Sequence, residues 1–98
     1  MGQVIWTEPA LEDVRRIVEY IAFDSPAYAE SEGARIVRTT RRLASFPWSG
    51  RIVPEYQDEN IRELICGTYR IMYVIREEAC YVLAVIHTRR DLDRALMV

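Results

Sequence analysis

The stretch from residue 61 to residue 87 constrains the fold most. It divides into three runs, residues 61–65, 69–76 and 80–87, each rich in Ile, Val and Tyr. The links between them, Cys66-Gly67-Thr68 and Glu77-Glu78-Ala79, leave room only for antiparallel neighbours. The segment therefore predicts a three-stranded meander. Strand side chains alternate between two faces, so Ile71, Tyr73 and Ile75 share one face of the middle strand and Arg70, Met72 and Val74 the other. We expect the first set to face the core. Charged groups recur where a sheet buried on both sides has none: Arg62, Glu63, Arg70, His87, Arg89 and Arg90.

What precedes the meander reads as a strand and two helices. Residues 3–6 are β-prone. Thr7 is placed to cap a helix with Pro9 in its first turn, and Glu8, Glu12 and Asp13 suit the positive end of its dipole. Ala10, Val14, Ile17, Val18 and Ile21 repeat at helical spacing, with Glu12, Asp13, Arg15, Arg16 and Glu19 as the solvent face. Asp24-Ser25-Pro26 ends this helix and caps a second, which carries Ala29, Gly33, Ile36, Val37, Thr40 and Leu43. Ala29 and Gly33 are small enough for close helix approach, and the short link predicts an antiparallel hairpin. Pro47 stops the second helix, and Phe46 and Trp48 are expected to close the core. Residues 51–53 read as a short edge strand ended by Pro54, and residues 55–60 as a polar loop. The expected fold is α+β: an N-terminal strand, an antiparallel helix hairpin, then a three- to four-stranded antiparallel sheet, in one domain over residues 1–98.

Charge narrows the partners. Thirteen arginines and no lysine leave a formal net charge of −2, and the pI is near 5.4. Non-specific binding to a phosphate backbone needs a net basic surface, which the whole chain lacks. Arginine is also the better cation for flat interfaces and bidentate carboxylate pairing. The densest basic run, Arg35, Arg38, Arg41 and Arg42, reads as an exposed helix face or a site for an acidic partner. Cys66 and Cys80 lie in apolar strands without metal-site spacing, so they read as buried thiols of a reducing cytoplasm, and no metal or other cofactor is expected. No signal peptide or membrane span is expected, and Trp6 spoils a myristoylation motif.

These residues carry a resemblance. Phe46-Pro47 with Gly50-Arg51 and Val53-Pro54-Glu55, then Arg62-Glu63-Leu64, Tyr69-Arg70-Ile71 with Tyr73, and Val85 with His87, Arg89, Arg90 and Asp91 resemble the RelE/ParE toxin superfamily of bacterial type II toxin–antitoxin modules over residues 4–92. The resemblance implies a cognate antitoxin, hence a toxin–antitoxin hetero-oligomer or a homodimer, and one of two targets. A ParE-like toxin binds DNA gyrase without being an enzyme. A RelE-like toxin is an endonuclease that cuts mRNA on the ribosome, and that branch implies Arg70, His87, Arg90 and Glu63 as its catalytic set. Two departures weaken the nuclease: Glu63 stands where the RelE branch has lysine, and residues 93–98 lack its tyrosine. The ParE-like branch is the better match. Arg62, Arg70, Arg89 and Arg90 are then the target-binding candidates, and Arg35, Arg38, Arg42 and Arg51 the antitoxin-binding candidates.

Overall fold

The computed structural model describes residues 2–88. Strand β1 (Gln3–Trp6) leads into helix α1 (Glu8–Ala22) and helix α2 (Pro26–Thr40). Two short 3-10 turns, Arg41–Ala44 and Pro47–Ser49, connect to β2 (Arg51–Ile52), β3 (Ile61–Cys66), β4 (Tyr69–Arg76) and β5 (Ala79–His87). Both expected caps form. The Thr7 hydroxyl accepts from the Ala10 amide and the Ser25 hydroxyl from the Tyr28 amide, each satisfying a donor that a helix start leaves open.

The four later strands are antiparallel, as the short links require, and β1 extends them to a five-stranded mixed sheet of order β1-β5-β4-β3-β2. Strand β1 runs parallel to β5, with Gln3 opposite Ala79 and Trp6 opposite Val82. The N-terminal strand thus makes β5 an interior strand over that stretch. A register shift at Met72/Tyr73 separates the lower and upper halves of the β4–β5 pair.

The hairpin packs on one face of the sheet. Ala10, Ile36 and Leu43 meet Leu64, Ile71, Tyr73, Ile75, Val82 and Val85 in the main core. Ile71, Tyr73 and Ile75 therefore face the helices, as their alternation predicts. At Gly33 an added Cβ would lie 2.9 Å from a Val18 methyl, so the glycine sets how closely α1 and α2 approach. On the opposite face Val53, Met72 and Ile86 form a second, smaller cluster with Ile61 and Ala84.

Three expectations fail on packing. Phe46 and Trp48 do not close the core; they are 66% and 52% exposed, and from this stretch it is Leu43 that enters the main core. Val37 is also exposed, and Glu32 takes the buried helical position instead. Asp13 is not purely a solvent-face residue: its Oδ2 accepts from the Val85 amide of β5 at 3.0 Å.

Candidate functional site

On the sheet face away from the helices, four charged side chains converge. Glu63 of β3 sits opposite Arg51 of β2 and opposite Met72 of β4. Arg70 lies two residues from Met72 on the same face, so it reaches Glu63 diagonally. The Glu63 carboxylate has no exposed surface and accepts from Arg51 Nε and Arg70 Nε, both at 2.5 Å. Arg70, itself 5% exposed, turns its other two nitrogens to Glu55, which accepts at 2.9 and 3.1 Å in a bidentate pair. The loop after Val53 delivers Glu55: the Tyr56 and Gln57 amides both donate to the Val53 carbonyl, and Gln57 takes a left-handed φ of 54°.

Arg70 hydrogen bonding holds the Glu55 carboxyl below the usual carboxylate range, and the Glu55 contact in turn raises Arg70. A carboxyl depressed in the folded state stabilises it fully above the unfolded-state value, about 4.3. That stabilisation is lost as the pH falls through the lower folded value. Stability followed by circular dichroism is therefore expected to start falling as the pH drops below about 4.3. Glu55→Gln is expected to flatten this part of the stability–pH curve, and an unchanged slope would show that the pair is not linked to folding.

His87 does not join this group. It pairs with Tyr69 across β4–β5, while Arg70 pairs with Ile86. Tyr69 belongs to the helix-side packing, so His87 and Arg70 emerge on opposite faces of the sheet. The His87 ring meets Tyr69 edge-on, with centroids 5.7 Å apart. It lines a cleft of about 860 Å³ that runs from Thr7, Asp13, Arg16 and Tyr69 to Met72 and Ile86 of the opposite-face cluster. Burial pushes the Tyr69 phenol up, so it stays neutral at physiological pH.

The other arginines divide clearly. Arg62 donates to the carbonyls of Glu59, Trp48 and Gly50 and stacks 4.9 Å from the Trp48 ring centre. It ties the 3-10 turn to the sheet. Arg35 pairs with Glu32 at 2.7 Å, and an added Cβ at Gly67 would strike its guanidinium. It therefore packs over the β3–β4 turn, where Gly67 has φ 61°. Arg15 and Arg16 pair with Glu12 on α1. Arg38, Arg41 and Arg42 have no carboxylate partner among the described residues. Arg89 and Arg90 lie outside the described residues. Sequence reasoning singled out Arg70, Glu63 and Arg51, but it did not join Arg51 to the other two and it missed Glu55. The signal that existed was the Arg51–Glu63 spacing, readable only once the β2–β3 register is known. Among the described residues no group of His, Cys, Asp or Glu is placed to hold a metal ion, and no helix is long and apolar enough to cross a membrane.

The chain matches a solved structure described as the chromosomal ParDE TA system from P. aeruginosa. The TM-score is 0.76 at 18% identity, covering 91% of this chain and 98% of that one. The fold is therefore shared. Sequence decides the family: residues 4–92 match the model for the ParE toxin of the type II toxin–antitoxin system, parDE. The chain belongs to the ParE toxin family. It is also 31% identical over 91 residues to Toxin RelE2 of Caulobacter vibrioides, spanning 92% of this chain and 99% of that protein. The ParE/RelE chain described here is thus a type II toxin, and membership supports a cognate antitoxin as its partner.

Proposed function

We propose that this toxin is ParE-like: it binds DNA gyrase in the cytoplasm, blocks replication without being an enzyme, and is neutralised by its antitoxin. The observation that carries this reading is the separation of the nuclease candidates. RNA cleavage needs an acid–base group and cationic phosphate ligands around one reacting atom. Here His87 and Arg70 leave opposite faces of β4–β5, and Arg70 and Glu63 are buried in ion pairs with Glu55 and Arg51. A net charge of −2 also suits a protein partner better than the phosphate-rich ribosome. Among the target-binding candidates, Arg62 and Arg70 then serve to hold the sheet surface in shape.

Supercoiling of relaxed plasmid by gyrase, with antitoxin-free toxin added, tests the proposal. Inhibition with trapped linear DNA, reversed by antitoxin, is the expected result. Folded toxin in large excess with no effect on gyrase, together with ribosome-dependent cuts in mRNA that disappear in Arg70→Ala and His87→Ala, would replace it with the RelE-like mechanism.

A further inference from the structure

The chain is acidic, yet three of the described arginines without a carboxylate partner, Arg38, Arg41 and Arg42, fall within five residues of one another. Arg38 lies in the last turn of α2, and Arg41 and Arg42 open the following 3-10 turn. Spacings of three and four residues put Arg41 and Arg42 beside Arg38 on one bend. The chain then folds back, with the Ser45 and Phe46 amides both donating to the Arg42 carbonyl, and presents Phe46 and Trp48 to solvent. The two 3-10 turns pack against each other. Trp48 is fixed by Arg62, and Ile52, also exposed, sits next to Arg62 across β2–β3. The Tyr73 hydroxyl donates to the Pro47 carbonyl and accepts from the Gly50 amide, which pins the aromatic turn to β4.

A helix dipole explains a cation near a helix end. It does not explain two large aromatic side chains held in water beside three unpaired arginines. Arginine and aromatic anchors at one place are the composition of an interface centre, not of an ordinary surface. The three positive charges select an acidic partner.

We propose that Arg38, Arg41, Arg42, Phe46 and Trp48 form the docking surface for an acidic antitoxin segment that carries a bulky apolar side chain. The proposal rests on the toxin–antitoxin reading. It retains two of the residues expected from sequence, Arg38 and Arg42, adds Arg41 and the aromatic pair, and leaves Arg35 and Arg51 to their internal contacts.

Isothermal titration of purified toxin with its cognate antitoxin, over a salt series, tests it. Arg38→Gln/Arg41→Gln/Arg42→Gln is expected to raise Kd about tenfold or more and to flatten the salt dependence. Phe46→Ala is expected to raise Kd about tenfold with the salt dependence kept. Arg15→Gln/Arg16→Gln, on the solvent face of α1, is the control and should bind as wild type does. Toxicity on expression without antitoxin should survive in all folded variants. A triple variant that binds like wild type overturns the surface while the toxin–antitoxin pairing stands. Wild-type toxin that does not bind the antitoxin at all overturns both. Normal antitoxin binding with lost toxicity would assign the surface to the target, and so also overturn the proposal.

Discussion

Glu63→Ala is expected to lower the unfolding free energy by about 3–5 kcal/mol, the usual consequence of removing one partner from a buried ion pair. Glu63 has no exposed side-chain surface and neutralises two guanidinium groups. Without it, Arg51 reaches water, because its side chain is already 61% exposed. Arg70 cannot, since only 6% of its side chain is exposed. It would keep Glu55 but retain a buried Nε–H with no acceptor. Domains of this size are stable by only about 5–15 kcal/mol, so the variant should sit close to unfolding at physiological temperature. Glu63→Leu/Arg70→Leu offers a contrast. Replacing a buried pair with apolar groups is often close to neutral, and the orphaned Glu55, 21% exposed, can turn to solvent. The double variant should therefore be more stable than Glu63→Ala. Urea denaturation gives the comparison. A single-variant loss below about 1 kcal/mol, with an unchanged m-value, would remove the network from the list of what holds this face together. The same experiment bears on mechanism: a catalytic carboxylate would lose activity and little stability, and Glu63 is expected to do the reverse.

That network shows where sequence reading reached and where it stopped. Caps and alternation are local, and they placed Thr7, Ser25 and the two faces of β4 correctly. The Arg70–Glu63 contact was within reach because a three-residue link fixes the β3–β4 register. Glu55 was not, because a loop residue has no periodicity and its position depends on the turn after Val53. The pairing of β1 with β5 joins Gln3 to Ala79, a contact between chain ends that no local pattern encodes. Phe46 and Trp48 were assigned to the core by their hydrophobicity. The exposure of large apolar residues is the more informative outcome, and it follows from a main core already supplied by Leu43, Tyr73 and their neighbours.

Gly50→Ala should be the second-largest loss, and its cause is space, not backbone freedom. Gly50 has φ −78° and ψ 161°, ordinary extended values that alanine also adopts. An added Cβ would lie 2.6 Å from the Glu63 carbonyl oxygen and 2.6 Å from the Tyr73 hydroxyl. The carbonyl belongs to β3 and cannot move without disturbing its ladder. Overpacking of this kind costs about 1–3 kcal/mol. The Tyr73 hydroxyl adds a second loss if it is displaced, for it accepts from the Gly50 amide at 3.0 Å and donates to the Pro47 carbonyl at 2.7 Å. Tyr73→Phe removes both bonds without the clash and leaves a buried amide unsatisfied, which costs about 1–3 kcal/mol. The two substitutions share the hydroxyl, so their effects should not add: the double variant is expected to fall short of the sum. Full additivity in urea denaturation would mean that the Cβ is accommodated against β3 alone. Both bonds tie the 3-10 turn that carries Trp48 to the sheet. Tyr73→Phe should therefore also weaken antitoxin binding in a protein that remains folded, since an anchor held loosely loses more freedom when it docks.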